Sequence, residues 1–179
     1  GYGTLLQDGR GLSDLMQGVT LEIFGEGRSP GPYYEDGKLV SFGDAMSKLE
    51  ESGVSVNVAS FLGAATTRIL EVGYENRDAT EQEMKRMKNI VKKSMEEGAM
   101  GIGSSLIYAP GDYASTNELI ELSKSASEYG GMYISHLRNE GVTLLEAFEE
   151  LMTIAREADI AAEIYHLKAS REPNWKKNE

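Results

Sequence analysis

The chain has no cysteine, only two histidines, four prolines and one tryptophan among its 179 residues. Without cysteine it forms no disulfide and offers no thiolate metal ligand, and such a composition fits a reducing, cytoplasmic setting. No stretch approaches the roughly 18 apolar residues that a membrane-spanning helix needs. The opening Gly1-Tyr2-Gly3-Thr4 lacks the basic start and apolar run of a secretory signal. Positive charge is scarce as well: 18 Lys and Arg stand against 29 Asp and Glu, a net charge of −11 at pH 7. Nucleic acids and anionic membranes are both bound through basic surfaces, so neither is expected as a partner. Most of the acid lies on helix-like segments such as Glu81 to Glu97 and Glu146 to Glu157, where a solvated face is the ordinary explanation.

What is present reads as one globular unit with alternating elements. Five short apolar runs, Gly18–Phe24, Val54–Leu62, Ala99–Ile107, Met132–Leu137 and Ile160–Leu167, are bounded by Gly and polar residues. Such runs are the pattern of strands buried on both faces. Between them lie amphipathic helices. Thr80-Glu81-Gln82-Glu83 is a capping box and opens a stripe of Met84, Met87, Val91 and Met95 that predicts packing against a sheet. Ser115-Thr116-Asn117-Glu118 and Thr143-Leu144-Leu145-Glu146 predict two more helix starts of the same kind. Strand–helix–strand units of about 30 to 45 residues imply parallel strands joined by right-handed crossovers. That leaves an open doubly wound sheet or part of a (β/α)₈ barrel, since a whole barrel takes about 250 residues. Gly25-Glu26-Gly27-Arg28 does not continue into a dinucleotide-binding glycine pattern, which weakens the nucleotide reading.

Both histidines end strand candidates: Tyr133-Ile134-Ser135-His136 and Glu163-Ile164-Tyr165-His166. They stand one strand–helix unit apart, so a parallel barrel places them on neighbouring strands at one mouth, where barrel active sites are built. Neutral imidazole is the commonest metal ligand, and Glu26 follows the first strand candidate at the same mouth. Together they make a two-histidine, one-carboxylate set suited to a divalent ion such as Zn²⁺. A glutamate in a Gly-rich turn is otherwise a simple loop residue. Ser104, Ser105 and Tyr108 follow the third strand, but no nucleophile elbow surrounds the serines. Arg138 and Lys168 lie just beyond the histidines. Lys168 is placed to hold a substrate carboxylate or to be a plain surface lysine, and Arg138 with Glu140 nearby can equally be a structural ion pair.

Three stretches in order, Gln17-Gly18-Val19-Thr20-Leu21-Glu22-Ile23-Phe24-Gly25-Glu26-Gly27, Ser135-His136-Leu137-Arg138-Asn139-Glu140 and Tyr165-His166-Leu167-Lys168-Ala169-Ser170, carry a specific resemblance. A fourth is Gly103-Ser104-Ser105-Leu106-Ile107-Tyr108-Ala109-Pro110-Gly111. The chain resembles the N-acyl-D-amino-acid deacylases (D-aminoacylases) of the amidohydrolase superfamily along its whole length. The resemblance implies an α/β fold, a partial (β/α)₈ barrel covering about strands two to six, with residues 1–179 a single segment that lacks the first strand and the last two. It implies one or two zinc or other divalent ions held by Glu26, His136 and His166, with Glu26 standing where many members carry a cysteine. Lys168, Tyr108 and Arg138 become the substrate-contacting candidates, and the substrate is a small N-acyl-D-amino acid whose amide is hydrolysed. No general base is expected within the segment: the family's aspartate follows the eighth strand. The segment alone is therefore expected to be inactive, and its two unpaired sheet edges give a route to self-association. A hydantoinase or dihydroorotase relative would carry a lysine near Gly101–Leu106, which has none. A non-catalytic α/β scaffold is the remaining alternative.

Overall fold

A computed structural model describes residues 1–178. The chain starts with two short helices, α1 (Tyr2–Gln7) and α2 (Leu12–Leu15), and then enters strand β1 (Leu21–Phe24). A small hairpin of β2 (Tyr33–Glu35) and β3 (Lys38–Val40) leads into α3 (Phe42–Ser52). Next come β4 (Asn57–Ser60), β5 (Leu62–Gly63), α4 (Ala64–Glu71), α5 (Glu81–Glu96) and β6 (Gly101–Ser105). The remainder is α6 (Thr116–Ser127), β7 (Met132–His136), α7 (Leu144–Ala158) and β8 (Ala161–Ile164), with 3₁₀ turns at Gly111–Tyr113 and Glu172–Asn178.

Apart from the hairpin, every pairing is parallel: β1 with β4, β5 with β6, β6 with β7, and β7 with β8. The Val54–Leu62 run is thus one stretch of chain that serves two neighbours. Its first half pairs with β1 and its second half with β6, and the change occurs at Phe61. Two backbone bonds continue the ladders across the break, Phe61 N–H to Phe24 O (2.9 Å) and Met100 N–H to Ser60 O (3.0 Å). The result is a five-stranded parallel arrangement in chain order. The barrel is not closed.

Helices α4 to α7 cover one face of this sheet. Met87 and Val91 from α5, Leu119 and Leu122 from α6, and Ile154 from α7 are fully buried against Leu62, Ile102 and Tyr133. The methionine stripe therefore faces the sheet. The starts of these helices follow their sequence signals with one exception. Thr80 and Glu83 form the reciprocal capping box, and Ser115 accepts from the Glu118 N–H. Thr143 caps nothing with its side chain; Asn139 Oδ1 takes the Gly141 and Thr143 N–H groups instead. A buried Arg68–Glu118 pair (2.6 Å) ties α4 to α6, and Arg68 also donates to the carbonyls of Glu75 and Arg77. A second, smaller cluster of Leu5, Leu49 and Val56 packs α1 and α3 beside β4. No helix among the described residues is long and apolar enough to cross a membrane.

Candidate metal centre

The site lies where the strands end. Parallel strands point all their C-terminal ends to one side, so residues that leave β1, β6, β7 and β8 converge there. His136 is the last residue of β7 and only 6% exposed. His166 sits two residues past β8, in a left-handed backbone conformation (φ 43°) with 37% of its side chain exposed. Their rings meet edge to face with centroids 4.4 Å apart.

Glu26 reaches them from the far side of the sheet, three strands from β7 and four from β8, and glycine makes that possible. Gly25 (φ 99°) packs so tightly on Phe61 that a Cβ there would overlap the Phe61 backbone. A Cβ on Gly27 (φ 77°) would come within 2.7 Å of the Ser105 Cβ, and the Gly27 carbonyl accepts the Ala65 N–H (3.0 Å). Only residues without a side chain tolerate both the positive φ and the close approach. The Gly25-Glu26-Gly27 turn is thereby drawn across the mouth and delivers the Glu26 carboxylate to His136 (Oε1 to Nδ1, 3.0 Å) and His166 (Oε1 to Nε2, 3.6 Å).

One ligand atom from each of Glu26, His136 and His166 lies within 4.8 Å of the other two. The donors are two imidazoles and a carboxylate, the set that suits zinc and similar divalent ions. His136 Nε2 is buried without an aligned hydrogen-bond partner. A buried polar atom left in this way is costly unless something else engages the ring. These residues fit a divalent ion.

The remaining candidates fall in two groups. Tyr108, 63% exposed, stands edge-on to His136 with ring centroids 5.6 Å apart, and with Glu26, Gly27, Arg28, Ala65, Ser105 and Ala109 it lines a cavity of about 290 Å³. Lys168 is also at the site: its Nζ lies 2.8 Å from His166 Nδ1 and on the Glu140 carboxylate. Arg138 is occupied elsewhere. Its guanidinium makes a paired contact with Glu150 (2.8 and 2.9 Å) and donates to the carbonyls of Asp112 and Ala114. The Glu150 carboxylate raises its pKa further, so this charge is fixed in the wall between α7 and the Gly111–Tyr113 turn. Its ion-pair partner is thus Glu150, not Glu140. Ser104 is buried and bonds to Tyr133 OH (2.7 Å) and Ser135 Oγ (2.9 Å) on the helix-facing side. Burial pushes the Tyr133 hydroxyl up to about 12, so it stays protonated.

Sequence reading passed over Glu140 as a site residue. Its Oε1 lies 3.1 Å from His136 Nε2 and 3.6 Å from His166 Nδ1, on the opposite side of the imidazoles from Glu26. The available signal was its spacing, four residues after His136, but the loop between them is not helical and gives no reason to expect contact.

No protein-family model matches the chain. Among curated proteins, the D-aminoacylase of Alcaligenes xylosoxydans xylosoxydans is 31% identical over 163 residues, which is 88% of this chain and 34% of that protein. The N-acyl-D-aspartate deacylase of the same organism is 30% identical over 138 residues, 76% of this chain and 28% of that protein. Among solved structures, a D-aminoacylase described for its binuclear metal center superposes with a TM-score of 0.89 at 28% identity, over 97% of this chain and 40% of that one. The chain spans about a third of the length of the curated relatives it matches. In sequence and in fold, it belongs with the N-acyl-D-amino-acid deacylases of the amidohydrolase superfamily.

Proposed function

We propose that residues 1–179 form one part of a single catalytic barrel, and that they supply half of a metal centre that hydrolyses the amide of N-acyl-D-amino acids. The observation that carries this reading is the convergence of Glu26, His136 and His166 from three different strand ends. The D-aminoacylase structure with a binuclear metal center has the same fold, which supports an ion at this mouth. Zinc is the natural occupant of two imidazoles and a carboxylate, and the same donors can serve one ion or share a second.

When bound, the ion supplies Lewis acidity toward the amide carbonyl and toward a water. Glu26, His136 and His166 hold it in a fixed position. Lys168, half exposed at the rim, is placed to accept the carboxylate of the amino acid once it leaves Glu140. Tyr108 forms the edge of the cavity beside His136 and bounds the space for the acyl group. Arg138, with four bonds to Glu150, Asp112 and Ala114, keeps that wall in place. The aspartate that serves as general base in the resemblance has no counterpart in this sequence, so the chain alone is expected to be inactive. Its substrate is a small molecule, and the unpaired outer edges of β1 and β8 favour self-association of the isolated chain.

Titrating the purified chain with Zn²⁺ tests the core of the proposal. Binding of at least one equivalent, lost in both His136→Ala and His166→Ala, is expected. Failure of the chain to bind zinc, or binding unaffected by either substitution, overturns it. A longer enzyme carrying this segment should hydrolyse N-acetyl-D-amino acids while the chain alone does not; turnover by the chain alone refutes its dependence on an outside base.

A further inference from the structure

Resting on that reading, we infer that Glu140 is a positioning residue of the metal centre: it fixes the orientation and tautomer of His136 and stations Lys168. Three observations converge. His136 presents Nδ1 to Glu26 at 3.0 Å and Nε2 to Glu140 at 3.1 Å, so the imidazole is held between two carboxylates. The Glu140 side chain is only 11% exposed, a degree of burial at which an ionised carboxylate needs compensating partners. Those partners are at hand, because the oxygen that faces His136 Nε2 also contacts Lys168 Nζ and stands 3.6 Å from His166 Nδ1.

The two carboxylates are not equivalent. The ammonium of Lys168 already sits on Glu140, and a second cation there would be repelled, whereas the Glu26 side carries no such charge among its described contacts. A divalent ion therefore goes to the Glu26 side and uses His136 Nδ1. An imidazole that gives Nδ1 to a metal keeps its proton on Nε2. In this fold that proton is buried, and Nε2 lacks an aligned acceptor. Glu140 Oε1, 3.1 Å away, is the charged acceptor within reach. Carboxylates in this position raise the basicity of a ligating histidine and lock its ring, and their loss typically weakens metal binding about 10- to 100-fold.

Co²⁺ binding to the purified chain tests this without reference to catalysis. Affinity is read by competition with a chromophoric chelator, and ligand geometry by the visible d–d spectrum. Glu140→Gln, which keeps the shape and removes the charge, should weaken Co²⁺ about 10- to 100-fold and alter the spectrum. Glu140→Asp should recover part of both, and circular dichroism should be unchanged in each. Unchanged affinity and spectrum in Glu140→Gln, with wild-type chain binding normally, overturns the role of Glu140 and leaves the metal centre standing. No Co²⁺ binding by the wild type overturns the metal reading and this inference with it. If Glu140→Gln loses its fold, Lys168→Met supplies the second measurement: removing the competing cation should tighten Co²⁺, and weaker or equal binding counts against the proposal.

Discussion

The middle of the sheet and its two edges are built to different standards. In β6 every residue but Ser105 and in β7 every residue but Met132 is buried, and Ile102 and Tyr133 have no exposed surface. In β1 and β8 the pattern alternates between exposed and half-buried; Leu21 and Ile23 leave 49% and 47% of their surface in water. Isolated exposed apolar residues are ordinary. Two of them on one face of a strand that pairs on one side only make an uncovered apolar patch beside an open edge. The two histidines follow the same division. His136, ending a central strand, is buried and held from both sides; His166, beyond an edge strand, is more exposed. The centre of the sheet is closed off by this chain, and its two edges are left open.

Four measurements sharpen or break that contrast, all by urea denaturation of the purified chain. The largest effect should come from Arg68→Met, which strands the Glu118 charge in the interior; a loss of about 3–5 kcal/mol is expected, and a change below 1 kcal/mol would show that the α4–α6 clamp does not hold the centre. Ile102→Ala should cost about 2–5 kcal/mol, while Ile23→Ala on β1 should stay within about 0.5 kcal/mol. Equal costs at the two positions would abolish the distinction between centre and edge. Thr80→Ala removes the cap of α5 and should cost about 1 kcal/mol.

The smallest effect depends on pH. Arg77 and the Thr80 backbone N–H hold the Glu83 carboxyl well below its ordinary value near 4.5. A depressed carboxylate pKa contributes stability above the unfolded value, and that contribution disappears as pH falls through the folded one. The difference between wild type and Glu83→Gln should therefore be largest near neutral pH and shrink as pH drops below about 4.5. A difference that grows in acid would contradict the capping role.

Much of this was legible in the sequence, for reasons that differ by element. The five apolar runs predicted the five strand positions because each is short, apolar and bounded by glycine or polar residues, although only β6 and β7 are buried on both faces. Most of the observed strands are shorter than their runs, because the flanking residues belong to the turns that enter and leave the sheet. The division at Phe61 was not readable: curling of the sheet decides which neighbour each half meets, and that is a property of the whole assembly. The β2–β3 hairpin was readable and was passed over. Asp36-Gly37 joins the two strands as a two-residue turn with both φ angles positive (50° and 76°), the conformation that Asp-Gly favours. The approach of Glu26, His136 and His166 followed from strand ends sharing one mouth. Glu140 did not, because only the fold of the loop after β7 brings it back, and Arg138 was matched to Glu140 by proximity in sequence when its partner lies on α7.

The glycine-flanked turn at Glu26 has a further consequence. Glu26 and His136 stand 110 positions apart in the chain, and with His166 they draw on the first and last strands of the sheet. An ion shared among them would work as a clasp, fastening one open border of the molecule to the other. It would bind the folded chain and not the unfolded one, so occupancy at a hundred times the dissociation constant would add about 2.7 kcal/mol of stability. Melting temperature would then report how full the site is, with no assay of turnover needed.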